Sequence, residues 1–255
     1  MPQPPPPESG TARVRELLSG EANPAYLAFH RPRFQFLVDL LRPHAARPGC
    51  RVLDVGTSPL TGLLARELGV AVDSLGLEAD GDVGPVRHYR FDLNEAQDRR
   101  HWRTDLGPYD VIVFAEVLEH LYTAPELVLA YLRERLAPGG LLVVQTPNAV
   151  ALRKRVKMLL GRQPFERIRV DRTNPGHFRE YTAGELRELL AGAGFALEAV
   201  WLRYYFDARY ARHDRPDAPP SPVRGALKNV FYRLQPAPLR EGITIAARAR
   251  RPETI

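Results

Sequence analysis

Cysteine is nearly missing from this 255-residue sequence. Cys50 alone cannot close an intrachain disulfide and leaves no thiol cluster for zinc, which fits a reducing compartment. Sitting just ahead of an apolar run, it reads as a core residue. Long hydrophobic stretches are missing too, since none reaches the roughly 18 apolar residues of a transmembrane helix. The polar, proline-rich opening MPQPPPPESG lacks the charged start and apolar segment of a signal peptide. A cytoplasmic protein without a transmembrane segment is therefore the expectation, and no internal repeat is visible. Neither charge is scarce: 36 Lys and Arg against 30 Asp and Glu leave +6, which permits anionic ligands, membranes or RNA as partners. Arginine far outnumbers lysine, but codon bias explains that as readily as function does, so nucleic acid is not the expected partner.

The remainder falls into an order. Residues 1–20 read as a disordered or loosely attached arm, because the proline run cannot donate backbone hydrogen bonds and offers little to bury. Residues 21–255 read as one domain. From Pro24 to Ala46, Leu27, Phe34, Phe36, Leu37, Leu40 and Leu41 recur at near-helical spacing, a helical cap that Pro32 must break or kink. After Gly49, short apolar runs alternate with amphipathic segments, the pattern of a parallel sheet with crossover helices. Strands are expected at Arg51–Val55, Ser74–Leu77, His88–Phe91, Val111–Phe114, Leu141–Gln145, Ala196–Tyr204 and Ile243–Ala247. Helices are expected at Leu60–Leu68 and Pro125–Leu136, and a third follows the capping box of Thr182 and Glu185 through Leu190. The expected architecture is α/β, a doubly wound, mostly parallel, seven-stranded sheet.

Two regions stand outside the alternation and read as insertions over the strand ends. Residues 149–178 carry Arg153, Lys154, Arg155, Lys157, Arg162, Arg167 and Arg169 around an apolar stripe of Val156, Leu159 and Leu160. Residues 207–238 are proline-rich, with a short amphipathic helix near Val223–Leu234. Both are poor in core-forming residues and are expected to be more mobile than the strands.

Chemistry concentrates at the strand ends. RVLDVGTSPLTGLLAREL is a buried strand ending in Asp54 that turns through Gly56 and enters a helix after Gly62, a place where ligands bind in doubly wound sheets. The next strand ends in Glu78, and an acid about 20 residues after a glycine turn commonly accepts hydrogen bonds from ribose hydroxyls. Asp80 competes for that role, and a solvated strand-end carboxylate is the plainer reading of Glu78. The third strand ends in FDLNEA, where Asp92 could accept the exocyclic amine of adenine beside apolar Leu93. The fourth ends in YDVIVFAEVLEHL, and the fifth follows LAPGG.

LDVG, the acid after the second strand, DVIVFAEVLEHL and LAPGGLLVVQTPN, in that order, resemble the class I S-adenosylmethionine-dependent methyltransferases. The likeness is to the large type 11/23 group similar to the ubiquinone-biosynthesis O-methyltransferases, and the downstream GHFREYTAGELRELLAGAGF is typical of it. The resemblance covers about residues 45–205. It implies the Rossmann-like methyltransferase fold, with the N-terminal cap and both insertions added. It also implies S-adenosylmethionine as cofactor, held by Asp54, Gly56, Gly62, Glu78, Asp92 and Leu93. One departure stands out: the family's Gly-x-Gly-x-Gly loop is here Gly56-Thr57-Ser58-Pro59-Leu60-Thr61-Gly62, longer and stiffened by Pro59. A nicotinamide site would want close glycines around a pyrophosphate, whereas S-adenosylmethionine has no phosphate, so the long loop favours the latter.

Glu116, Glu119 and His120 stand at i, i+3 and i+4, which places them on one face if the turn after the fourth strand is helical. Two carboxylates and an imidazole can hold a divalent cation, magnesium or manganese, with His177 as fourth ligand. Some enzymes that resemble this chain here use such a metal to grip adjacent acceptor oxygens. The plainer reading makes Glu119 and His120 a hydrogen-bonded pair shaping the pocket. A hydroxyl acceptor needs help losing its proton, from His120 or His177 as base or from a metal. The basic insertion suggests a lid for an acceptor with anionic character, such as a phosphorylated or nucleotide-linked sugar, although a solvated basic face explains it equally. The expected function is O-methylation of a small molecule or sugar-type acceptor. An RNA or protein methyltransferase and a cofactor-binding module without turnover are the alternatives.

Overall fold

The computed structural model describes residues 10–19, 24–171, 175–211 and 222–250. The elements run α1 (Gly10–Ser19), α2 (Pro24–Ala45), β1 (Arg51–Val55), α3 (Pro59–Leu68), β2 (Ala71–Gly76), β3 (Gly81–Val83) and β4 (Val86–Arg90). They continue with β5 (Tyr109–Ala115), α4 (Pro125–Arg135), β6 (Leu136–Pro147), α5 (Leu152–Leu159), α6 (Ala183–Gly192), β7 (Phe195–Arg203), α7 (Pro222–Leu234) and β8 (Gly242–Ala249). The seven expected strands are all present in one sheet ordered β3-β4-β2-β1-β5-β6-β8-β7. The eighth, three-residue β3, pairs antiparallel with β4 at the edge.

The five strands β4, β2, β1, β5 and β6 are parallel, and β8 inserts antiparallel between β6 and β7. Because side chains alternate across a strand, each strand feeds two cores. Val52, Val72, Val111, Val113, Leu141 and Val143 pack against Phe34, Leu37, Val38 and Leu41 of α2 and Leu60 and Leu64 of α3. Their neighbours Leu53, Leu75, Ile112, Phe114, Leu142 and Val144 pack on the other face against Val128, Leu129 and Leu132 of α4 and Leu186 and Leu190 of α6. Cys50 is buried in the first of these cores, as its sequence position suggests.

Three expectations need correction. Residues 10–19 belong to a helix rather than an arm: Val14 and Leu18 of α1 bury against Val83 and Val86. The first nine residues of that expected arm lie outside the described residues. Of the break or kink expected at Pro32, the break does not occur: α2 runs through both Pro32 and Pro43, and the Phe34, Leu37, Val38, Leu41 stripe supplies burial enough to offset the lost hydrogen bonds. The turn after β5 is a single 3-10 turn, Leu118–His120, and Glu116 lies before it with a left-handed φ of 57°. The three residues of EVLEH therefore do not share a helical face.

Candidate active site

β1 leads to the site. At its end Gly56 has φ 89°, a conformation glycine adopts readily, and donates its N–H to Leu75 O at 2.8 Å. The chain then turns through Ser58, which caps α3 in a reciprocal capping box with Thr61. A cleft of about 800 Å³ opens here at the carboxyl ends of β1, β2, β4 and β5, on both sides of the point where the strand order reverses. Gly56, Glu78, Asp92, Leu93 and His120 all line it. A second cleft of similar volume lies beyond Tyr122 and Phe178, against α6; it contains none of the strand-end acids.

Of the two acids weighed after β2, Glu78 faces the cleft, whereas Asp80 is held by Arg103 and by the Arg90 N–H at 2.6 Å. Glu78 is anchored from behind by His88 of β4. That imidazole is buried, with Nδ1 2.8 Å from Ser74 Oγ and 3.2 Å from Thr57 Oγ1, and Nε2 3.2 Å from the Glu78 carbonyl. Burial lowers its pKa, so the neutral ring bridges the glycine loop, β2 and the Glu78 backbone. Asp92 is fixed by Asn94, whose N–H and side-chain amide donate to Asp92 Oδ1 at 2.9 and 3.0 Å. Asn94 Oδ1 in turn accepts from Tyr122 N, at 2.9 Å.

Two expected ligand residues do not reach the cleft. Asp54 is fully buried beneath the loop and accepts a hydrogen bond from Thr61 Oγ1 at 2.6 Å. Burial pushes its carboxyl up to about 7, against the pull of that hydroxyl and of Arg33. Gly62 lies inside α3, where a Cβ would sit 2.7 Å from Leu18 O. Its small size lets α1 approach α3, a packing role.

The EVLEH acids divide. Glu119 is wholly buried, with Oε2 accepting from Thr146 Oγ1 at 2.8 Å and Oε1 lacking a partner. Burial, and then the nearby Glu116 charge, raise its pKa well above the usual carboxylate range. Glu116 faces the buried guanidinium of Arg33, at 3.5 Å. His120 and His177 meet edge to face with centroids 4.8 Å apart. The Gly176 carbonyl accepts from His120 Nδ1 at 2.9 Å, and the Glu180 carboxylate accepts from His177 Nδ1 at 3.1 Å. These partners assign the proton to Nδ1 in both rings and leave each Nε2 as an acceptor. Glu119, His120 and His177 each bring one ligand atom within 4.8 Å of the others; Glu116 is outside this group.

Sequence reading missed Glu180, Lys154 and Arg33. Burial alone would raise the Glu180 carboxyl, but hydrogen bonds from His177 and Lys154 outweigh it and leave it below the usual range. Lys154 is no part of a basic face: it is buried, ion-paired to Glu180, and donates to Asn148 O at 2.9 Å. The spacing of Glu180 three residues after His177 was the available signal. Arg169, Val170, Asp171 and Pro175 complete one wall, so the first insertion does reach over the strand ends.

A family profile described as "Methyltransferase domain" matches residues 26–200. A protein of Mycolicibacterium smegmatis described as a probable S-adenosylmethionine-dependent methyltransferase is 38% identical over 123 residues, which span 47% of this chain and 42% of that protein. Among solved structures, the N-methyltransferase NodS of Bradyrhizobium japonicum, in complex with S-adenosyl-L-homocysteine, superposes with TM-score 0.50 at 14% identity, covering 96% of this chain and 100% of that one. The [4+2]-cyclase SpnF superposes with TM-score 0.53 at 18% identity, covering 85% and 81%. At such identities the structures share the fold alone, and the cyclase marks how little the fold dictates the chemistry. The family match, covering most of the chain and all of the strand-end motifs, has the weight the superpositions lack: this chain belongs to the methyltransferase domain family.

Proposed function

We propose that the protein is an S-adenosylmethionine-dependent methyltransferase that O-methylates a small molecule or sugar-type acceptor. Supporting this reading is a cluster in which Glu119, His120 and His177 each bring one ligand atom within 4.8 Å of the others, with His120 on the wall of the cleft that Glu78 and Asp92 also line. Glu78 and Asp92 would hold the ribose hydroxyls and the adenine amine, with Leu93 against the base. Gly56 would let the backbone approach the methionine end. When bound, S-adenosylmethionine supplies a methyl carbon already made electrophilic by its sulfonium, so the protein's task is alignment and removal of one proton. His120 suits that task. Burial lowers its pKa, Gly176 fixes its tautomer, and Nε2 is left to take a hydroxyl proton. His177, oriented by Glu180, would offer its Nε2 lone pair to an adjacent hydroxyl of the acceptor. Arg169 on the cleft wall suits an acceptor with anionic character.

The same atoms fit a divalent cation. The unpartnered Glu119 Oε1 is a buried acceptor that a cation would satisfy, and when bound the ion would supply Lewis acidity toward the acceptor oxygen. With Glu116 committed to Arg33, the set is two imidazoles and one carboxylate, which favours manganese or another transition ion over magnesium. Transfer of labelled methyl from S-adenosylmethionine into fractionated extract, with wild type and His120→Gln, tests the reading. Label in a low-molecular-mass fraction, lost in the variant, is expected; label only in RNA or protein, or none, would overturn it. If a bound cation rather than His120 acidifies the hydroxyl, exhaustive chelation abolishes turnover and leaves cofactor binding intact. Full activity after chelation would leave His120 as a plain base.

A further inference from the structure

Two helices of this chain are inside out. α7 turns Gly225, Asn229 and Tyr232 inward: a Cβ on Gly225 would lie 2.4 Å from Arg209 Cα, Asn229 Nδ2 donates to Asp207 at 2.8 Å, and Tyr232 stacks on Tyr204 with centroids 4.3 Å apart. Its apolar residues, Val223, Leu227, Val230, Phe231 and Leu234, face solvent. α5 does the same, burying Lys154 while Val156, Met158, Leu159 and Leu160 stand out, with Leu159 86% exposed. Phe165, Ile168 and fully exposed Val170 continue that surface to the cleft wall. Of the 18 exposed large hydrophobic side chains among the described residues, 12 lie on these two segments. A water-facing helix normally shows the reverse pattern.

Charge accompanies the apolar residues. Leaving aside the buried, paired Lys154, residues 151–171 carry six Lys and Arg against two acids, and α7 carries three against none. Since the whole chain is only +6, the rest of it is net negative, and the cationic excess is confined to these two segments. They are neighbours: Arg153 of α5 pairs with Glu241 at 3.4 Å, and both charges act on Tyr232 of α7. A solvated basic face would not need the exposed Leu, Val and Phe, and an apolar protein interface would not need the cations. Helices with both features lie in the headgroup layer of anionic membranes.

We propose that α5, the following residues 160–170 and α7 together form a docking surface for an anionic lipid bilayer, which sets the mouth of the strand-end cleft against the membrane. Basic side chains would meet lipid phosphates, and Leu159, Leu160, Phe231 and Leu234 would enter the headgroup boundary. No helix among the described residues is long and apolar enough to cross a membrane, so the association is peripheral.

Cosedimentation of the full chain with sucrose-loaded vesicles tests this, using phosphatidylcholine containing one-third phosphatidylglycerol beside phosphatidylcholine alone. Binding to the anionic vesicles should be at least about tenfold tighter and should weaken as salt rises. Leu159→Glu with Leu160→Glu, and separately Phe231→Glu, should each lower partitioning by about tenfold or more with unchanged circular dichroism. Hydrogen exchange of the unmodified protein on anionic vesicles should show new protection at 152–160 and 223–234. The proposal is overturned by no partitioning at low salt, by partitioning indifferent to the substitutions, or by protection elsewhere. It is overturned equally by a dimer in light scattering that the same substitutions dissociate, or by RNA binding tighter than vesicle binding. Every readout is binding without turnover, so failure here leaves the methyl-transfer reading standing.

Discussion

Replacing Gly56 and Gly62 one at a time with alanine tests the proposal that Gly56 lets the backbone approach a ligand while Gly62 serves packing, within one loop-helix segment. At Gly56, alanine must hold φ near 89°, and its Cβ would lie 2.6 Å from Val117 Cγ2. Left-handed backbone costs an L-residue roughly 1–2 kcal/mol, and displacing Val117 adds off-rotamer strain of about 0.5–1.5 kcal/mol. The loop can escape this strain only by moving away from the geometry that lets its backbone approach a ligand. S-adenosylmethionine binding would have to restore the strained form, weakening affinity by about 10- to 400-fold. At Gly62 the clash is with backbone, Leu18 O at 2.7 Å, so α1 must shift. Stability should fall by about 1–3 kcal/mol while cofactor affinity stays within a few-fold. Titration calorimetry with S-adenosylmethionine and S-adenosyl-L-homocysteine, paired with urea denaturation, reads both quantities. Affinity lost in Gly62→Ala and retained in Gly56→Ala would refute the assignment.

Two further outcomes follow from buried charge. His30 is held to a pKa of about 3 by burial and then by Arg33, so below its ordinary value the unfolded chain binds a proton that the folded chain refuses. Stability should be full above about pH 6.5 and fall by roughly 2–4 kcal/mol toward pH 3, allowing for its partial exposure. His30→Gln should flatten that slope in urea melts at stepped pH, and an unchanged slope would contradict the argument. Glu180→Gln leaves Lys154 buried without a countercharge and should cost roughly 3–5 kcal/mol, most of it recovered by adding Lys154→Met; a single-variant loss below about 1 kcal/mol would count against the ion pair.

Strand positions were legible because a parallel sheet buried on both faces writes short apolar runs that little else in the sequence imitates. That Gly56, Glu78 and Asp92 line one cleft was legible for a related reason: each ends such a run, and the fold puts run ends together. What sequence did not convey was direction and partnership. Asp54 ends a strand as Glu78 does, yet its side chain turns under the loop to Thr61. Glu116 was grouped with Glu119 by spacing, but its left-handed φ aims it at Arg33, a residue some 80 positions earlier on α2. Lys154 looked like one more surface cation until Glu180, brought over it by the return of the insertion, gave it a buried partner. α1 escaped notice because its two buried apolar side chains among the described residues, Val14 and Leu18, are too few to write a pattern.

The proposed function requires S-adenosylmethionine to bind in the strand-end cleft. Calorimetric titration of the full chain with S-adenosylmethionine, and with its demethylated product, tests it most directly when repeated on Glu78→Ala and Asp92→Ala. One site per chain is expected for both compounds, with no heat from NAD and about 1–3 kcal/mol of affinity lost in each variant, the cost of leaving ligand donors unpaired. Absence of heat with both compounds, or binding that neither substitution disturbs, would contradict it.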